Sequence, residues 1–169
     1  MLQDLGRCHF LTDLAELGSS IEHAENSLDN LSRYMQDEYF EPPLLLAPMS
    51  QKIKWEPLGV VLVFGSWNYP YVVNLKPLIQ AIATGNCCIV KPSEFSPISS
   101  AAIKKLVEKY LDPRCFRVIL GDAQVAISLN KLKFDLICFT GSTQTGRMVA
   151  KAAAENLTPC VLELGGKCP

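Results

Sequence analysis

From Gln51 onward the chain alternates between two textures, and this constrains its fold more than any other feature. Short, almost wholly apolar runs occur at Gly59–Phe64, Cys87–Val90, Phe116–Leu120, Leu136–Phe139 and Cys160–Leu164. Each is of strand length. Between them the apolar residues take helical spacing: Tyr71, Leu75, Leu78, Ile79 and Ile82 first, then Ile98–Leu111, a short stretch near Ala123–Asn130, and Thr143–Glu155. A strand with one wet face alternates apolar and polar, whereas one apolar throughout has both faces covered. Strands of this kind alternating with helices specify βαβ units, an α/β fold with a Rossmann-like, mainly parallel sheet and flanking helices. Pro77 falls inside the first helical stretch and predicts a late start or a kink there.

The first forty residues are different. Leu14, Leu17, Ile21, Ala24, Leu28, Leu31 and Met35 recur at spacings of three and four, an amphipathic helical seam. Gly18 and Ser19–Ser20 interrupt it, which leaves one broken helix and two helices both open. The seam spans barely three heptads, so packing on its own domain is favoured over a coiled-coil partner. "FEPPLLLAP" (Phe40–Pro48) breaks helical structure and reads as a connecting segment. The expected division is an N-terminal helical segment and linker over 1–48 and the alternating α/β domain over 49–169.

Composition excludes several function classes. A formal net charge of −1 gives no electrostatic footprint for nucleic acid. The opening "MLQDLGRCHFLTDL" has neither the basic start nor the apolar centre of a signal peptide, and no apolar run reaches the roughly 18 residues of a membrane span. Seven cysteines without a C-x-x-C pair or a secretion signal point to reduced thiols and a cytoplasmic location. Two histidines, His9 and His23, with no ligand spacing predict no metal site.

The chemistry follows the strands. After Phe64 comes "GSWNYP", after Val90 "KPSE", after Phe139 "TGSTQTG", and Glu163 closes the last run. In a parallel sheet the carboxyl ends of the strands share one edge, where ligands bind, so four polar clusters from separate segments should converge. "GSTQTG" (Gly141–Gly146) is a turn whose glycines admit close approach of a phosphate to a helix N-terminus. A P-loop would need Lys then Ser or Thr after the second glycine, and here Arg147 and Met148 follow. Lys91 and Glu94 suit ribose hydroxyls, one donating and one accepting; a solvated loop and a helix start capped by Ser93 or Ser96 are the plainer readings. The Asn68 amide is a neutral donor suited to an oxyanion, or a turn residue only. Glu163, flanked by Leu162 and Leu164, is costly to bury unless paired with Lys167 or Lys91 or functional. Desolvation would raise its pKa towards what a general base needs.

Together, "EPLGVVLVFGSWNYP", "AIATGNCCIVKPSE", "FDLICFTGSTQTGRMV" and "LTPCVLELGGKCP" resemble the aldehyde dehydrogenase superfamily, and most nearly its class 3, fatty and aromatic aldehyde branch. The resemblance is strong from Trp55 to Pro169 and weaker before it. It implies oxidation of an aldehyde to a carboxylate with hydride passing to a nicotinamide cofactor, NAD with NADP as the alternative. It also implies that Asn68 donates to the substrate oxyanion and that Glu163 activates the water. Lys91 and Glu94 would contact the adenosine ribose, and Gly141, Ser142 and Gly146 the pyrophosphate. A homo-dimer is expected for the full-length family. The family's nucleophilic cysteine lies in a G-Q-x-C context; none of the seven cysteines does, and Cys168 stands where a serine is usual after G-G-K. The expectation is therefore an incomplete aldehyde dehydrogenase fold, truncated before the catalytic domain and inactive alone. A non-catalytic nucleotide-binding or interaction module, pairing with a full-length relative, is the alternative.

Overall fold

The computed structural model describes residues 1–167; the substitution at Cys168 lies outside the described residues. Strands β3 (Val60–Phe64), β4 (Cys87–Lys91), β5 (Phe116–Val118), β6 (Leu136–Gly141) and β7 (Cys160–Leu164) form one sheet in the order β5-β4-β3-β6-β7. Every neighbouring pair is parallel, in the register Val61↔Cys88, Val61↔Leu136, Cys88↔Phe116 and Cys138↔Val161. Helices α4 (Val72–Ala83), α5 (Pro97–Tyr110), α6 (Ala123–Asn130) and α7 (Thr143–Glu155) follow β3, β4, β5 and β6 in turn. The expected α/β architecture is the observed one. Helix α4 starts ahead of Pro77 and runs through it.

The apolar strands have the two covered faces their composition demands. Val61 and Val63 join Leu78 of α4 and Ile103 and Val107 of α5 in one core. Leu62 and Phe64, pointing the other way from the same strand, join Ile137, Phe139, Leu129 of α6 and Val149 of α7 in a second. Burying each such side chain contributes about 1.5–3 kcal/mol, so the central strand anchors both layers. β5 ends two residues earlier than expected, and β6 runs two residues further, to Gly141, because β7 continues to pair beside it.

The N-terminal segment comprises α1 (Leu2–Leu5), α2 (His9–Thr12), a π-helical turn (Asp13–Gly18) and α3 (Ser19–Tyr34). Helices α2 and α3 are thus joined end to end through a widened turn rather than separated at Gly18. The segment packs on its own domain, α3 against α4 and α1 against α5. It uses only part of the apolar seam: Leu14, Ile21, Leu28 and Met35 are 58–73% exposed and Ala24 and Leu31 half-buried, while Thr12, Glu16 and Ser20, four residues apart, face inward. Small and polar side chains let the helices approach closely and leave Leu14 and Leu28 outside. The segment expected as a linker lies between two strands. β1 (Glu38–Phe40) and β2 (Gln51–Ile53) pair antiparallel on either side of Pro48, with a 3₁₀ turn at Leu44–Leu46 between them, so the segment is the tip of a ribbon.

Candidate functional site

The chain fills β3, β4 and β5 in one direction and then returns to place β6 against the other side of β3. Loops leaving β3 and β6 therefore diverge and open a crevice at the carboxyl edge of the sheet. A cleft of about 520 Å³ occupies that place, lined by Gly65–Trp67 after β3, Lys91 at the end of β4 with Glu94 beyond it, and Thr140 and Gly141 at the end of β6 with Ser142 and Thr145 beyond them. Ala123, Ala126 and Ile127 of α6 and Met148 and Val149 of α7 give it an apolar flank. A larger hollow of about 730 Å³ lies among the end of α3, Trp55–Pro57 and the end of α4. That hollow is away from every polar cluster singled out in the sequence.

Lys91 is buried, and its ammonium donates to Glu94 Oε2 at 2.9 Å and to the Pro92 carbonyl at 3.2 Å. Burial pushes the Glu94 carboxyl up, but the Lys91 hydrogen bond, a backbone N–H and the Lys91 charge outweigh it, and the net shift is downward. The two form an ion pair in the cleft wall, with Glu94 the more exposed partner.

At β6 the backbone enters α7 through Ser142, whose Oγ accepts from the Thr145 N–H at 3.2 Å. Four helices point their N-termini at this edge, and three are already met by a carboxylate. The Tyr71 and Val72 N–H groups at the start of α4 donate to Glu16 Oε2, at 2.7 and 3.4 Å. Ile98 and Ser99 of α5 donate to Asp4, at 3.2 and 2.7 Å. Gln124 and Val125 of α6 donate to Asp122. α7 has only the neutral Ser142 cap and no acidic residue in its first turn. Among these four helices its positive end is the one with no carboxylate against it, and it borders the cleft.

Gly141 and Ser142 line the cleft, but Gly146 does not. It is buried one turn into α7, and a Cβ on it would lie 2.5 Å from Leu164 Cδ2 and 3.4 Å from Phe139 Cε1. Its place explains a glycine through helix–sheet packing rather than through ligand contact. Asn68 is exposed on the loop after β3; its Oδ1 accepts from Ser66 Oγ at 2.6 Å, which leaves Nδ2 as the donor of the side chain. Its backbone carbonyl accepts from Arg7 Nη2 at 2.6 Å.

Glu163 corrects an expectation: the carboxylate is exposed, not buried. It pairs in register with Thr140, two residues after Cys138, and so lies on the sheet face of Cys138 and the α4–α5 layer. Those helices cover β3, β4 and β5, and β7 is the edge strand beyond their reach. Neither lysine considered as its partner takes that role among the described residues, since Lys91 pairs with Glu94. The cysteines divide by depth: Cys88 is fully buried and its thiol is pushed up to about 12 by burial and the neighbouring Cys138 and Cys87, which makes it a core residue rather than a nucleophile.

Arg7, Glu16 and Asp4 were not legible as site residues. Each acts from the N-terminal segment on a loop or helix more than fifty positions away.

The aldehyde dehydrogenase family model matches residues 3–169. The chain is 43% identical over 166 residues to aldehyde dehydrogenase family 3 member H1 of Arabidopsis thaliana, covering 98% of this chain and 34% of that protein. It is 41% identical over 169 residues to family 3 member B2 of Mus musculus, covering 100% and 35%. A structure of Staphylococcus aureus AldH in a substrate-bound state superposes with a TM-score of 0.97 at 38% identity, covering 99% of this chain and 37% of that one. A Mycobacterium tuberculosis aldehyde dehydrogenase complexed with NAD+ superposes at 0.83 with 26% identity, covering 97% and 34%. The chain thus spans about a third of the length of the proteins it matches.

Proposed function

The chain belongs to the aldehyde dehydrogenase family, and from that premise we propose that it binds a nicotinamide adenine dinucleotide at the carboxyl edge of its sheet and serves the oxidation of an aldehyde to a carboxylate. The observation that carries this reading is the open N-terminus of α7. Of the four helix ends at this edge it alone has no carboxylate, and it stands beside the buried Lys91 in a cleft with an apolar flank. An anion at the helix end and an aromatic base against the flank would satisfy both halves of that surface.

Each residue has a distinct part in this reading. Gly141 and Ser142 present the backbone and hydroxyl to the pyrophosphate, with Gly146 seating α7 against Phe139 so that its end meets the cleft. Lys91 donates to a ribose hydroxyl and Glu94 accepts from one. The ionised Glu94 disfavours a 2′-phosphate, which favours NAD over NADP. When bound, the nicotinamide supplies the hydride acceptor. Asn68 offers Nδ2 to the oxyanion that develops as a nucleophile adds to the aldehyde carbonyl, and Glu163 takes the proton of the water that releases the acid.

Six free thiols among the described residues support a reducing, cytoplasmic compartment. Among the described residues no helix is long and apolar enough to cross a membrane. Leu44 and Leu45, 92% and 93% exposed at the ribbon tip, support a homo-dimer as the assembly. No cysteine lies in a G-Q-x-C context, so the 169-residue chain is expected to bind cofactor without turning over aldehyde. Calorimetric titration with NAD and NADP, followed by an assay with medium-chain aldehydes, tests the reading. Binding of NAD ahead of NADP is expected; no heat at about 1 mM of either would overturn it.

A further inference from the structure

We propose that Arg7 and Glu16, both from the N-terminal segment, are positioning residues that fix the aim of the Asn68 amide. The proposal rests on the reading of Asn68 as an oxyanion donor. Its basis is a contact chain that nothing in the βαβ scaffold requires.

Asn68 sits on the loop from Gly65 to Tyr71, between β3 and α4. The scaffold itself holds the two ends of that loop and the Tyr69 carbonyl, which accepts from the Val73 N–H of α4 at 3.1 Å. Gly65 N–H donates to the Lys91 carbonyl at 3.2 Å, and Asn74 Nδ2 of α4 donates to the Pro70 carbonyl at 2.7 Å. Its middle is held from outside. Arg7 Nη2 donates to the Asn68 carbonyl at 2.6 Å, and the guanidinium lies over the Tyr69 ring, 4.4 Å from the centroid. The other arm of the same guanidinium, Nη1, pairs with Glu16 Oε1.

Glu16 is fully buried, and its second oxygen accepts from the Tyr71 N–H at 2.7 Å. One carboxylate thus ties the loop's exit to the residue that grips its centre. With the carbonyl of Asn68 fixed by Arg7 and its Oδ1 held by Ser66, little freedom remains to the side chain except to present Nδ2 outward.

A guanidinium is needed for this. It offers two N–H arms at a fixed angle and a planar face for the tyrosine, whereas an ammonium is a single point of charge. Arg7→Lys should keep the ion pair with the buried Glu16, and with it the fold. It should lose the simultaneous grip on the Asn68 carbonyl and the stacking on Tyr69. Glu16→Gln keeps an acceptor for Tyr71 but sets an amide against Arg7.

The test is ¹⁵N NMR of the ligand-free chain, read at the Asn68 side-chain amide and the backbone of residues 66–71, with urea midpoints and the NAD dissociation constant measured in parallel. For Arg7→Lys the expected result is a shifted or exchange-broadened Asn68 Nδ2 signal and loop disorder. The urea midpoint should stay close to wild type, and any fall in NAD affinity should be modest, because only Gly65–Trp67 of this loop line the cofactor cleft. Arg7→Ala should give the same Asn68 signature with an added loss of stability. If Arg7→Lys leaves the Asn68 signal and the loop unchanged while Arg7→Ala lowers only the midpoint, the pair is a fold clamp and the proposal is overturned. The readout needs no ligand, so absence of NAD binding would defeat the cofactor reading and leave this result standing.

Discussion

Gly65→Ala should be among the most damaging small substitutions in the chain, although its backbone needs no left-handed conformation. The first residue after β3 passes so close over α4 that an added Cβ would lie 2.2 Å from Asn74 Oδ1, 2.3 Å from Nδ2 and 2.4 Å from Cγ. Asn74 is fully buried and its amide is held by the Pro70 carbonyl, so it cannot yield as an exposed side chain would. Overpacking of this kind costs about 1–3 kcal/mol, and if Asn74 swings aside the lost hydrogen bond adds about 1 kcal/mol, for a total of about 2–4 kcal/mol. Urea unfolding followed by circular dichroism reads this directly. The diagnostic measurement is the cycle with Asn74→Ala, which removes the atoms in conflict. The double variant should be no more than about 1 kcal/mol less stable than Asn74→Ala alone, a strongly non-additive result. Additivity, or a cost for Gly65→Ala under about 0.5 kcal/mol, would refute the close-approach argument.

Ser142→Ala removes the side-chain cap of α7 and should cost about 1 kcal/mol of stability, with weaker NAD binding in titration calorimetry. Glu94→Gln keeps the shape of the Lys91 partner but removes the negative charge, so the ratio of NAD to NADP affinity should fall, measured by paired titrations. Acid should loosen the fold through Asp4 and Glu94. Burial pushes the Asp4 carboxyl up, but bonds from the Ser99 hydroxyl and the Ser99 and Ile98 N–H groups, with the N-terminal ammonium, bring it net below 3.8; Glu94 lies net below 4.5. Because both folded values lie below the unfolded ones, their stabilisation is complete above those values and lost as pH falls through the folded ones. The urea midpoint should therefore drop between about pH 5 and pH 3, and less steeply in Asp4→Asn, with the partly exposed Glu94 contributing the smaller share.

The sheet was legible because burial on both faces leaves a direct mark: Val61, Leu62 and Val63 are apolar in sequence since each has a core to enter. Lys91, Glu94 and Ser142 were legible for a related reason, as polar residues at the ends of such strands have one shared edge to occupy. The N-terminal helix misled because its apolar seam is real, yet packing is set by how closely two helices can approach. Thr12, Glu16 and Ser20 fit against the domain, and Leu14, Ile21 and Leu28 do not. Glu163 misled through its neighbours. Leu162 and Leu164 imply a buried strand, but among the described residues β7 is an edge strand and one of its faces has no helix over it. No local pattern encodes the reach of Arg7 to Asn68, which exists only once the first helices have docked.

On the proposed reading the cofactor is held at the carboxyl edge of the sheet, against the start of α7. Chemical-shift mapping of the ¹⁵N-labelled chain during NAD titration tests it most directly. Saturable shifts are expected, centred on Gly141–Thr145, Lys91 and Glu94, with the α6 face of the cleft following. Shifts centred instead on the larger hollow around Leu31, Tyr34 and Trp55, or none at all, would contradict it.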